Sequence, residues 1–103
     1  MHVICFYVPK EHAENVKEAM FAAGAGRIGL YDRCSWQVSG FGQYRPLPGS
    51  QPFHGEQEKL ETLEELKVEM ACSDSHLSEV LKALRQTHPY ETPAFHVIKD
   101  ASL

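Results

Sequence analysis

The chain is poor in cysteine, in basic charge and in long apolar runs, and each shortage removes a class of protein. Cys5, Cys34 and Cys72 are odd in number and widely spaced, so neither a disulfide framework nor a zinc knuckle is expected. They fall in segments that read as strands, and buried reduced thiols are the expectation. Ten Lys and Arg against fourteen Asp and Glu give a net charge of −4. The cations are scattered rather than striped, which argues against binding a phosphate backbone. The longest apolar run lies between Val3 and Val8, far short of a bilayer span, and no basic segment precedes it as in a signal peptide. A cytoplasmic protein that engages neither nucleic acid nor membrane is expected.

A complete catalytic constellation is also missing. No serine or cysteine can be paired in sequence with a His and Asp set that would activate it. Glu56, Glu58, Glu61, Glu64, Glu65 and Glu69 read as a solvated acidic face, because acid–base work needs a desolvated carboxyl and nothing in this stretch promises burial.

What is present is ordinary globular material. With 103 residues and 43% hydrophobic content, the chain fits one domain over residues 1–103 and can bury about two thirds of its unfolded surface. The segment MHVICFYVP is apolar on both alternating faces, as in a strand covered on both sides, and Pro9 ends it. Ala13, Val16, Met20 and Ala23 recur at helical spacing from Lys10 to Ala23, and Gly24 supplies the stop. Cys34, Trp36 and Val38 alternate with polar residues in a long bent strand, with Gly40 and Gly42 marking a bulge or bend. Pro46, Pro48, Gly49, Ser50 and Pro52 form a surface loop.

Leu66, Val68, Met70 and Cys72 alternate with Glu65, Lys67, Glu69 and Ala71, the period of a strand with one wet face. Asp74 and Ser75 are placed to cap a second helix carrying Leu77, Val80, Leu81 and Leu84, which must stop before Pro89. Ala94 to Ile98 closes the set. The order β-α-β-β-α-β specifies an α+β, ferredoxin-like sandwich, an antiparallel sheet with two helices on one face. The other face then needs a cover, and a second copy of the chain is the economical one. Trp36, Phe41 and Tyr44 are assigned to core filling and subunit packing.

Three groups of residues carry functional expectations. Gly24, Gly26 and Gly29 spell G-x-G-x-x-G, but a helix precedes them and a strand follows, the reverse of a dinucleotide fingerprint. A turn with exposed N–H groups and Arg27 beside them still suits a small anion. His88, Glu91 and His96, with His54, are the residues that would hold a divalent metal such as copper or zinc. The alternative for HPYETPAFHV, residues 88–97, is a stiff corner in which His88 and Tyr90 bond to nearby backbone.

The elements G-x-G-R-I-G-x-Y-D-x-C, P-F-x-G-E and H-P-Y-E-x-P-A together resemble the domain inserted in Nif-three-like proteins of the YqfO group, and more distantly the CutA and PII-like trimers. The resemblance implies a PII- or CutA-like domain that forms a homotrimer. It transfers no metal ligand and no hydrolase activity, because the two-metal site of the larger members belongs to the domains flanking this insert. A non-enzymatic binding or regulatory domain is therefore expected, with Gly24, Gly26, Arg27, Gly29, Tyr31, His88, Tyr90 and Glu91 lining small-ligand clefts between subunits. A CutA-type metal-binding protein and an enzyme with a composite site between subunits are the alternatives.

Overall fold

Alternation in one strand sets the architecture. Leu66, Val68, Met70 and Cys72 are buried, while Glu65, Lys67, Glu69 and Ala71 between them are half-buried. A period of two commits one face of that strand to a core. The computed structural model describes residues 1–101; the last two positions of the expected domain lie outside the described residues. The elements are β1 (His2–Pro9), α1 (Ala13–Ala22), β2 (Trp36–Tyr44), β3 (Glu61–Cys72), α2 (Leu77–Thr87) and β4 (Phe95–Lys99), with short 3-10 turns Lys10–His12 and Asp74–His76 leading into the helices.

The sheet has the order β2-β3-β1-β4, and each neighbouring pair is antiparallel. This is the expected α+β, βαββαβ plan. In the register, Ile4 faces Met70, Phe6 faces Val68 and Val8 faces Leu66. These side chains join Val16 and Met20 of α1 and Val80 and Leu84 of α2 in one apolar cluster. Each fully buried side chain of this kind contributes about 1.5–3 kcal/mol. Both helices therefore lie on one face.

The opposite face carries the other parity: Val3, Cys5 and Tyr7 of β1, Glu65, Lys67 and Glu69 of β3, Trp36 and Val38 of β2, and His96 and Ile98 of β4. Trp36, Val38 and Ile98 are exposed there. β2 contributes no buried residue at all, and the molecule extends 46 × 24 × 24 Å. The strand expected as half-buried is thus bare along most of its length within one copy, and Trp36 and Phe41 are not core.

Four local expectations are corrected. The long strand begins only at Trp36, because Gly26, Gly29 and Arg33 take positive φ and turn the chain before it. Cys34 is accordingly half-buried in that loop, whereas Cys5 and Cys72 are buried thiols on strands. Asp74 does not cap α2, whose N-cap is His76 without a side-chain bond. Its carboxylate instead meets the Met1 amino group at 3.0 Å and His2 Nδ1 at 2.8 Å, and the amino group holds it below the usual carboxylate range. Finally, β2 and β3 pair one for one from Trp36 to Tyr44, so Gly40 and Gly42 mark no bulge.

Candidate functional site

The corner between α2 and β4 is built by a proline and a histidine. Pro89 disfavours the helical basin for the residue before it, and His88 takes extended angles while its N–H still closes the helix on Leu84 O at 2.9 Å. The imidazole turns inward and is buried. Its Nδ1 accepts the Tyr90 N–H at 3.1 Å, so the proton sits on Nε2, which donates to Tyr7 O at 2.6 Å. Burial pushes the His88 pKa down, against the opposing pull of the Tyr7 carbonyl. A neutral ring with both nitrogens in use is a lock. The stiff-corner reading holds for His88, whereas the Tyr90 hydroxyl bonds a side chain, Glu65, rather than backbone.

Tyr90 follows from that lock. Its hydroxyl donates to Glu65 Oε2 at 2.7 Å, and its ring lies 6.2 Å from Tyr44 and 6.3 Å from Phe53. Burial first, and the Glu65 carboxylate second, raise its pKa well above the ordinary phenol value. The Glu65 side chain reaches Tyr90 by crossing Gly42, where any Cβ would stand 1.8 Å from Glu65 Oε1. A side chain there would have to push the Glu65 carboxylate aside, so this glycine serves close approach rather than a bend. Glu91 Oε2 accepts the Gln51 N–H at 2.8 Å, tying the corner to the loop between β2 and β3.

Together these pieces enclose a cavity of about 620 Å³ on the helix-free face, with Tyr7, Val38, Tyr44, Phe53 and Tyr90 among its walls and Glu65, Lys67 and Glu91 as its charged lining. The volume lies within the range of small-molecule sites. Mostly apolar walls with a few charged groups suit an amphipathic ligand or a partner's side chains rather than a bare ion.

The expected cleft residues divide into two groups. Tyr90 and Glu91 line the cavity, with His88 behind them. Gly24, Gly26, Arg27, Gly29 and Tyr31 lie in the loop between α1 and β2, which docks on the far end of β3 through Gly26 N–H to Ala71 O at 2.8 Å. Ala71 lies six residue steps along β3 from Glu65, about 20 Å at the rise of an antiparallel strand. Within one copy the two groups do not share a cleft.

The expected metal residues are not brought together within one copy either. His88 has no free nitrogen, Glu91 holds Gln51, His54 sits 3.3 Å from Glu61, and His96 makes an edge contact with Tyr7 on the open face. Among the described residues, no three His, Cys, Asp or Glu side chains form a group that could hold a metal ion. Glu65, Lys67, Phe53 and Tyr7 were not singled out as site residues in sequence. Glu65 is expected on a solvated face, and the signal that would have found it is its place opposite Gly40 and diagonal to Gly42 of β2.

No family model matches the chain. It is 45% identical over 91 residues to a GTP cyclohydrolase 1 type 2 homolog of Mycobacterium tuberculosis, which covers 88% of this chain and 24% of that protein. A crystal structure of a Bacillus cereus protein related to NIF3 superposes with a TM-score of 0.84 at 34% identity, covering 98% of this chain and 26% of the other. CutA1 from Pyrococcus horikoshii superposes with a TM-score of 0.72 at 17% identity, covering 100% of this chain and 86% of that one. The chain is thus related to part of the NIF3-related proteins and has the CutA fold. It spans about a quarter of the length of the curated relatives it matches. No helix among the described residues is long and apolar enough to cross a membrane.

Proposed function

We propose that this chain is a cytoplasmic, non-enzymatic binding or regulatory domain that works as a homotrimer, its copies meeting on the helix-free face and leaving small-ligand clefts at their boundaries. One observation carries the reading. Trp36, Val38 and Ile98 are 59%, 44% and 58% exposed on the same face of a sheet whose two helices both lie on the other. Apolar area gathered in this way marks an interaction site. The CutA fold supports the reading only as a fold. In such an assembly a copper or zinc ion would have to draw on Glu91, His96 and His54 from different copies, since both nitrogens of His88 are engaged.

Sedimentation equilibrium tests the proposal. The expected mass is three chains, and Trp36→Lys, which places a charge on the open face, should shift the distribution toward one chain while leaving the far-ultraviolet spectrum intact. A mass of one chain at every concentration would remove it.

A further inference from the structure

The loop between α1 and β2 ends in an exposed apolar tip. Ile28 is 53% exposed, Tyr31 75% and Leu30 fully exposed. The tip is shaped rather than loose: Ile28 N–H donates to Tyr31 O at 2.9 Å and Tyr31 N–H to Ile28 O at 3.0 Å. Gly29 takes φ 57 at the first central position, which suits a two-residue hairpin. A second pair of bonds, Gly26 N–H to Ala71 O and Cys34 N–H to Gly26 O, both 2.8 Å, fixes its base to the sheet. A rigid projection loses little conformational freedom on docking. Leu30, held fully out into water, has no packing role in its own copy.

We propose that this tip seats in the cavity beside Tyr90 on the next copy of the chain, Leu30 and Ile28 entering between Val38 and Phe53, so that the two separated groups of cleft residues become one site. The inference rests on the self-association proposed above and names the contact that makes it. Shape and charge both favour a second copy as the occupant. The tip is convex and the cavity concave, and about 20 Å of β3 keeps them apart within one chain. Arg27 and Asp32 flank the tip, and among the described residues neither side chain has a hydrogen-bond or ion-pair partner in its own copy. The cavity offers Glu65 and Glu91 to the first and Lys67 to the second. A tip that binds a different patch from the one it occupies makes a head-to-tail contact, and such contacts close into rings when the rotation allows.

Two variants separate the halves of the contact. Leu30→Asp disables the tip at a fully exposed position, and Gly40→Trp fills the cavity at a residue whose Cβ direction is open. Each alone should raise the dissociation constant of assembly at least about tenfold, read by sedimentation velocity. An equimolar mixture should restore one intact contact per pair and give a species of two chains that grows no further. Circular dichroism identical to the parent establishes that both fold. If the parent assembles and Leu30→Asp leaves its dissociation constant unchanged, or if the mixture forms no two-chain species, the tip-in-cavity contact is wrong and the self-association reading survives. If the parent is a monomer, the self-association reading itself fails.

Discussion

The two faces of this sheet are made from the same four strands and have opposite chemistry. On the helix side, Ile4, Phe6, Val8 and Val68 are fully buried. On the other side, Tyr7, Lys67, Glu69 and Trp36 occupy the neighbouring register positions, and apolar and charged groups are mixed. The first face is finished by its own chain. The second has apolar residues too many for a wet face and charges too many for a core, the mixture on which the proposed self-association rests.

The sharpest way to break this contrast is to truncate one side chain on each face. Phe6→Ala removes a ring that is wholly buried between the sheet and the helices, and should cost about 3–5 kcal/mol in urea unfolding. Val38→Ala, at a protein concentration low enough for copies to separate, should stay within about 0.5 kcal/mol. Equal losses would mean that the open face is stabilised within one copy and needs no cover. A smaller effect belongs to the corner. Tyr90→Phe removes the donor to Glu65 and should lower stability by about 1.5–3 kcal/mol, whereas Glu65→Gln keeps an acceptor and should lose less. If Tyr90→Phe were neutral, the Tyr90–Glu65 bond would contribute nothing to the stability of the corner.

The contrast also explains what was legible beforehand. The period-two pattern of Leu66 to Cys72 and the helical spacing of Val80 and Leu84 each point at a core made within the chain, so the order of elements, α2 and the C-terminal part of β3 were legible, while the start of β3 at Glu61 was not. The corner was legible because Pro89 restricts His88 whatever surrounds it. The strand around Trp36 was legible as a strand, but its start and its exposure were not, since turn residues such as Gly29 and Arg33 interrupt the segment before it and nothing in one copy covers its apolar positions. Glu65 was hidden for a related reason. It belongs to an acid-rich run, and only the register that puts it opposite Gly40, beside Gly42, shows it turning toward Tyr90.

His88 stands where the two faces meet, and its titration gives the mildest test. Burial lowers its pKa below the ordinary value of 6.5; the Tyr7 carbonyl and Glu65 oppose that shift and His12 adds to it. Below pH 6.5 the unfolded chain takes up a proton that the folded chain refuses, so the unfolded state binds more protons and stability rises with pH. The contribution is fully present above 6.5 and is lost as pH falls toward the folded value, with a slope approaching about 1.4 kcal/mol per pH unit. Asp74, whose pKa is depressed from 3.8, adds no slope in this window: its stabilisation is fully present there and is lost only as pH falls below 3.8. His88→Gln should therefore be less stable than the parent at about pH 8, yet show a flatter stability profile from 6.5 down to about 5. A parent profile with no slope in that window would mean that the buried imidazole accepts its proton in place, giving up the Tyr90 N–H without cost, and the corner would then be loose enough to let the cavity close.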